Sequence, residues 1–325
     1  MLFLSISETV GVCPTTDSIK PCVCLETIGN HRLICSGNHT LDLVKVFQTL
    51  SHSLKGSEKH INIFHLNSTS VKELRENTFK DITFDEVSIE SNKELKTIDE
   101  NAFKGTESVI KYLDISNNPA LHSPNNSIFN LINKLPNLSI LELQFNNISE
   151  IPSNAFIKLN HLGTINLAGN SIKKLGHGAF SKLPNLGQVG FEQVHFPFTD
   201  HAFQFEHKSN DPFLINLENN PDLTNSAFSE KTFLNINRHT QIRFGHGFQP
   251  GSSRHMIYLA EKVFLPFLFE NDRNTIDMNG SEFDCTDCRN YWLKKNPNVL
   301  PRIYAIRCHN RKAFNDPGNF LNCSS

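Results

Sequence analysis

A short pattern, apolar-x-apolar-x-x-Asn, returns every two dozen or so residues and limits what this chain can fold into. It reads Val87-x-Ile89-x-x-Asn92, Leu113-x-Ile115-x-x-Asn118, Leu141-x-Leu143-x-x-Asn146, Ile165-x-Leu167-x-x-Asn170 and Ile215-x-Leu217-x-x-Asn220. Weaker copies are Phe64-x-Leu66-x-x-Thr69, Val189-x-Phe191-x-x-Val194 and Ile242-x-Phe244-x-x-Gly247. The spacings between the Asn-type positions are 23, 26, 28, 24, 24, 26 and 27 residues. A unit of this length repeated so often predicts a solenoid, in which each coil buries its apolar side only against its neighbours. Such a body offers one long curved surface, so the first question is what it binds.

Each apolar-x-apolar step predicts a short strand with one buried face. The Asn lies where the chain turns out of the strand. Its amide can both donate to and accept from backbone groups of adjacent coils that burial would otherwise leave unpaired. Ten or eleven residues further on stands a Phe: Phe79, Phe103, Phe129, Phe156 and Phe180. Ala precedes it in Ala102-Phe103, Ala155-Phe156, Ala179-Phe180, Ala202-Phe203 and Ala227-Phe228. These positions account for many of the 26 Phe residues, and a stacked row of core rings is expected.

At 325 residues with a net charge of −2, nothing pulls the chain toward nucleic acid or a membrane surface. No apolar run approaches the roughly 20 residues of a membrane span. The start, Met1-Leu2-Phe3-Leu4-Ser5-Ile6, reads as the stub of a signal sequence, so residues 1–12 are expected to be a residual leader. The sequence runs two residues past Cys323, so no lipid-anchor tail is expected. The eight Cys form two clusters: Cys13, Cys22, Cys24 and Cys35, then Cys285, Cys288, Cys308 and Cys323. Even numbers confined to two clusters suggest two disulfide caps in an oxidising compartment, and a solenoid needs caps to cover its terminal coils. Zinc is the alternative: Cys285-x-x-Cys288 has ligand spacing, although a second knuckle is missing. Sequons at Asn38, Asn67, Asn125, Asn137, Asn147 and Asn279 add to the case for a secreted glycoprotein.

The pattern with its caps resembles the extracellular leucine-rich repeat proteins. Cys13-Pro14, Cys22-Val23-Cys24 and Cys35 resemble their N-terminal cap. Cys285-Thr286-Asp287-Cys288, with Tyr291-Trp292-Leu293 and two later Cys, resembles their C-terminal cap. That resemblance implies the pairs Cys13–Cys24, Cys22–Cys35, Cys285–Cys308 and Cys288–Cys323. It implies an α/β-type solenoid with a curved parallel sheet on the concave face and short helices or irregular loops on the convex one. The expected divisions are an N-terminal cap over 13–59, about eight repeats over 60–275 and a C-terminal cap over 276–325. The Ala-Phe marks and Val263-Phe264-Leu265-Pro266-Phe267-Leu268 are most similar to an arthropod group named after the non-catalytic subunit of a decapod luciferase. Val194 and Gly247 depart from the ladder Asn, and 245–275 lacks a clean repeat.

On this fold the residues between the buried strand positions face outward. Candidate binding residues on the concave face are Glu86, Glu90, Tyr112, Asp114, Ile140, Glu142, Gln144, Phe145, Glu192 and Glu218. Six of these are carboxylates, and the reading finds no Lys or Arg on the face before Arg243. Such a field favours a basic or polyhydroxylated partner. Tyr112, Ile140 and Phe145 are expected to form one apolar anchor. A second, basic surface is expected at the C-terminal cap: Arg289, Lys294, Lys295, Arg302, Arg307, Arg311 and Lys312, suited to an acidic glycan or a second chain.

No catalytic motif is present. The nearest His cluster, His195, His201 and His207, has no recognisable metal spacing, so no metal and no cofactor are expected. The chain is thus expected to be a secreted binding protein for a protein or glycan ligand, without chemistry of its own. The alternatives are a non-catalytic accessory subunit of a secreted enzyme complex and an extracellular matrix or glycan-binding component.

Overall fold

The computed structural model describes residues 13–27, 29–37, 41–192, 197–220, 223–245, 257–279 and 282–323. The expected leader over 1–12, the sequon Asn38, the departures Val194 and Gly247, and His195 all lie outside the described residues. The chain divides into two units, Met1–Asn147 and Ile148–Ser325. In the first, helix α1 (Thr16–Ile19) precedes an antiparallel pair, β1 (Val23–Thr27) and β2 (Asn30–Ser36). Helix α2 (Leu43–Ser53) follows; the carboxylate of Asp42 accepts from the Lys45 N–H at its start, and Leu43, Val46, Phe47 and Leu50 form its buried stripe. Then come β3 (Ile63–Asn67), β4 (Glu86–Glu90), β5 (Tyr112–Ser116), α3 (Ser127–Ile132) and β6 (Ile140–Glu142). From β2 onward each strand pairs in parallel with the next.

The second unit repeats this plan. Strands β7 (Thr164–Asn166), β8 (Gln188–Gly190), β9 (Phe213–Asn216), β10 (Thr240–Arg243), β11 (Thr275–Asp277) and β12 (Ile303–Tyr304) are parallel neighbours in that order. Helix α4 (Glu261–Glu270) fills the stretch without a clean repeat and buries Val263, Phe264, Phe267 and Leu268. Helix α5 (Tyr291–Lys295) lies in the C-terminal cap, where the Trp292 indole N–H donates to the Leu259 carbonyl at 2.9 Å. Both units therefore have the α/β leucine-rich repeat architecture: one parallel strand per coil, returned by short helices and turns. In the first unit β1 and β2 lead into the strand ladder, and in the second β11 and β12 continue it past residue 275.

The repeated Asn holds the coils together. Nδ2 of Asn92 donates to the carbonyls of Leu66 and Glu90, and its Oδ1 accepts from the Thr69 N–H and hydroxyl. Asn118 does the same toward Ile89, Ser116 and Asn92, and Asn146 toward Ile115, Leu143 and Asn118. In the second unit Asn170 and Asn220 donate to Leu167 and Ala168, and to Phe191, Leu217 and Glu218. Each ladder residue thus satisfies several backbone groups that have no access to water.

The Phe residues pack in rows, with one correction. Rings 156, 180, 203, 233 and 264 follow one another at 5.8, 6.4, 5.7 and 5.8 Å, so Phe233 takes the place expected for Phe228. Phe228 stacks instead on Phe198 at 5.6 Å. In the first unit Phe79 packs against Phe103 at 5.3 Å, and against Phe47, Phe64 and Phe84. Arg238, only 4 % exposed, is an unforeseen interior residue. Its guanidinium donates to the carbonyls of Leu183, Pro184 and Leu186 and lies 3.9 Å from the Phe205 ring centroid.

The cysteines pair as the resemblance implies: Cys13–Cys24 and Cys22–Cys35, then Cys285–Cys308 and Cys288–Cys323. This removes the zinc alternative, because no thiolate remains to ligate it.

Candidate binding face

In a parallel ladder, residues in register share a face, so β3 to β6 present three rows outward. One row runs Ile63, Glu86, Tyr112, Ile140; the next His65, Ser88, Asp114, Glu142; the third Asn67, Glu90, Ser116. Asp114 stands opposite Glu142 and two residues from Tyr112. It is 8 % exposed, and among the described residues its Oδ1 has no hydrogen-bond partner. Burial, with added repulsion from Glu90 and Glu142, pushes its carboxyl up to about 6, against a stabilising bond from Ser116. Burial and the surrounding carboxylates likewise push the Tyr112 phenol up to about 12. The Ser88 hydroxyl donates to Glu90. His65, in the middle row, is held below the usual imidazole range by burial and by Arg32, against the pull of Glu90 and Glu86.

Arg32 corrects the expectation that no cation precedes Arg243. It lies on β2 in register with Ile63, so it shares the open face. β2 carries no ladder Asn and was therefore assigned to the cap alone. The apolar anchor is also divided. Ile140 (37 % exposed) faces Tyr112 across the strand gap, whereas Phe145 (42 % exposed) lies at the turn beyond the other end of β6. Asp114 and Glu142 stand between them.

Phe145 has a backbone φ of +52°. It occupies the slot just before the ladder residue, where every described coil of this type takes the left-handed conformation: Ser68, Ser91, Asn117, Gly169 and Asn219 have φ between 54° and 65°. Small residues, Asn or Gly suit that slot; a Phe there is strained by about 1–2 kcal/mol.

In the second unit the acidic candidates are engaged. Glu192 accepts from the amides of Asn216 (3.1 Å) and Asn219 (3.0 Å). Glu218 lies 3.9 Å from Arg243, which also approaches Asp277 at 3.5 Å. Burial pushes the Glu218 carboxyl up, while Arg243 pulls it back.

The basic cap surface is partly neutralised by acids just outside the run. Arg289 pairs with Asp287 and lies over the Tyr258 ring at 3.7 Å; Lys312 reaches Asp316 at 3.4 Å. Arg302 donates to the carbonyls of Asn271 and Asn274. Lys294, Lys295, Arg307 and Arg311 are exposed, with Lys295 5.1 Å from the Tyr291 ring centroid. The sequons Asn125, Asn137, Asn147 and Asn279 are exposed, and Asn67 is half-buried on the open face. His201 contacts the Leu234 carbonyl at 3.4 Å. Among the described residues no group of three His, Cys, Asp or Glu is placed to hold a metal ion. Among them, too, no helix is long and apolar enough to cross a membrane.

Fold and face together define a class: a repeat protein whose parallel strands present an open, side-chain-rich surface. Residues 136–189 match the leucine rich repeat family, a stretch that runs from the coil of β6 into β8. With the repeating coils and the disulfides near both ends, that match supports a leucine-rich repeat fold. No curated protein matches the chain.

Proposed function

We propose that this is a secreted recognition protein that binds a basic protein ligand on the open face of β3 to β6. A leucine-rich repeat fold points to binding rather than catalysis, and four disulfides point to an oxidising, extracellular setting. The observation that carries the reading is the acidic face itself. Glu86, Glu90, Asp114 and Glu142 occupy adjacent register positions, with Arg32 the one Lys or Arg among the outward strand residues of β2 to β6. Ile140 with Tyr112 at one end and Phe145 at the other supply apolar contact area. Likeness to the arthropod group makes an accessory subunit of a secreted enzyme the second reading; its enzyme would dock on this same face.

The test uses a fluorescent arginine- and lysine-rich peptide and an acidic peptide of equal length. The folded chain should bind the basic peptide alone, more weakly as salt rises. Glu86→Gln, Glu90→Gln and Glu142→Gln together should cost at least about tenfold in affinity. Asp114 is spared, because at so buried a position its substitution would change stability as well as binding. Equal binding of both peptides, or no loss in the triple variant, rejects the reading. For the cap, retention on a heparin column at physiological salt tests Lys294, Lys295, Arg307 and Arg311 as a polyanion site.

A further inference from the structure

A trough of about 350 Å³ runs along the strand entries of the N-terminal unit. Its polar wall comes from equivalent positions on four successive coils, the residue before each strand: Asn62, Asp85, Lys111 and Ser139. The backbone there is rigidly tied. The Asn62 carbonyl accepts from the N–H groups of Asp85 and Glu86, that of Asp85 from Lys111 and Tyr112, and that of Lys111 from Ser139 and Ile140, at 2.8–3.2 Å. The Asp85 carboxylate is held by Lys111 (2.9 Å) and His60 (3.0 Å). Burial favours its protonation, but the bonds and charge of Lys111, with His60, outweigh it and hold its carboxyl below the ordinary value.

The next residue on three of those coils supplies apolar surface: Ile63, Tyr112 and Ile140. Tyr112 and Ile140 are direct register neighbours. The polar wall keeps unused capacity. Lys111 is 66 % exposed and has spare ammonium donors, and the Asn62 amide reaches Asp85 only at 3.5 Å. The Ser139 hydroxyl donates to the Lys111 carbonyl, leaving its lone pairs free to accept. A ligand for this trough therefore needs hydroxyl groups that both donate and accept, and a C–H face to lie on a ring and two branched side chains. Asp85 and Lys111 compensate each other, and Glu86, the next residue on the remaining coil, adds a carboxylate that can accept from hydroxyls, so the lining suits a neutral ligand and disfavours an anionic one. Four coils at a strand spacing of about 4.8 Å span about 14 Å, more than one pyranose ring.

We propose that the trough binds a neutral oligosaccharide, its apolar sugar face on Tyr112, Ile63 and Ile140 and its hydroxyls on Asn62, Lys111 and Ser139. The trough shares Glu86, Tyr112 and Ile140 with the acidic face, but Asn62, Asp85, Lys111 and Ser139 play no part in that reading, so Lys111→Met and Ser139→Ala separate the two.

The test titrates the full disulfide-bonded chain with cellotriose, maltotriose, mannotriose and chitotriose, by calorimetry and saturation-transfer NMR. At least one trisaccharide should saturate. Tyr112→Ala and Lys111→Met should each weaken it about tenfold or more, and Glu73→Gln, on the flank, should leave it unchanged. Ser139→Ala provides a milder third variant should Tyr112→Ala lose its fold. The inference is overturned if no trisaccharide saturates, or if saturation survives both trough variants unchanged. Basic-peptide binding measured on the same samples shows whether the acidic-face reading survives by itself.

Discussion

Replacing Asn118 by Ala should remove a large share of the stability of the N-terminal unit. The side chain is fully buried. Its Nδ2 donates to Ile89 and Ser116 at 2.9 Å each, and its Oδ1 accepts from the Asn92 N–H at 2.9 Å. Alanine leaves the Ile89 carbonyl and the Asn92 N–H buried without these partners, while the Ser116 carbonyl keeps the bond from the Ser91 N–H. At about 1 kcal/mol or more for each orphaned group, plus the void left behind, the loss is about 3–5 kcal/mol. That is a large part of the 5–15 kcal/mol or so typical of a folded domain. Asn118→Asp keeps the acceptor, loses both donors and turns a carboxylate toward two carbonyl oxygens, so it should be at least as damaging at neutral pH. The neighbouring Asn117→Ala is the control: Asn117 is exposed at φ +56°, and only the left-handed cost of about 1 kcal/mol applies. Urea unfolding followed by far-UV circular dichroism measures all three. A loss below about 1 kcal/mol for Asn118→Ala, no larger than for Asn117→Ala, would refute the ladder argument.

Three further outcomes follow from the same structure. Phe145→Asn should stabilise the chain by about 1 kcal/mol, by relieving the positive-φ strain, while weakening the basic-peptide probe; a stability loss in thermal unfolding would show that Phe145 is a packing residue instead. Asp114 has a folded-state pKa raised from 3.8 to about 6, so its favourable contribution is complete below pH 4 and is lost as pH rises to 6. Asp114→Asn should therefore stabilise the protein at pH 7.5, by up to about 3 kcal/mol, and bring little gain at pH 3.5; an equal effect at both pH values contradicts this. Arg238→Met keeps the aliphatic bulk but takes the guanidinium donors from the Pro184 and Leu186 carbonyls, while Leu183 keeps the Leu186 N–H, so calorimetry should find it destabilised by about 2–4 kcal/mol, and an unchanged melting temperature would deny it a structural role.

The fold was legible wherever one position answers to the same physical demand in every coil. Asn92, Asn118 and Asn146 satisfy equivalent backbone groups, and the Phe row fills equivalent interior space, so both left a period in the sequence. What broke the period stayed hidden. Arg32 reaches the open face from a strand without a ladder residue. Phe233, and not Phe228, continues the stacked row, and Arg238 meets carbonyls more than 50 residues away. The outward positions Glu86, Asp114 and Glu142 could be read from strand alternation. That Asp114 is covered by its neighbours, and that Asn62, Asp85, Lys111 and Ser139 line one trough, depends on strand register, which alternation alone does not supply. The sequence offers Phe145 as an outward apolar residue; its backbone strain is visible only beside Ser91, Asn117 and Asn219 in the equivalent slot.

Carbodiimide labelling of carboxylates, read by peptide mass spectrometry with and without the basic peptide, tests the binding face most directly. The peptide should lower labelling at Glu86, Glu90 and Glu142 while leaving Glu73, Glu94 and Glu107 on the turns and flanks unchanged. Protection at Glu73, Glu94 or Glu107 with the strand residues unaffected would place the ligand elsewhere and contradict the account.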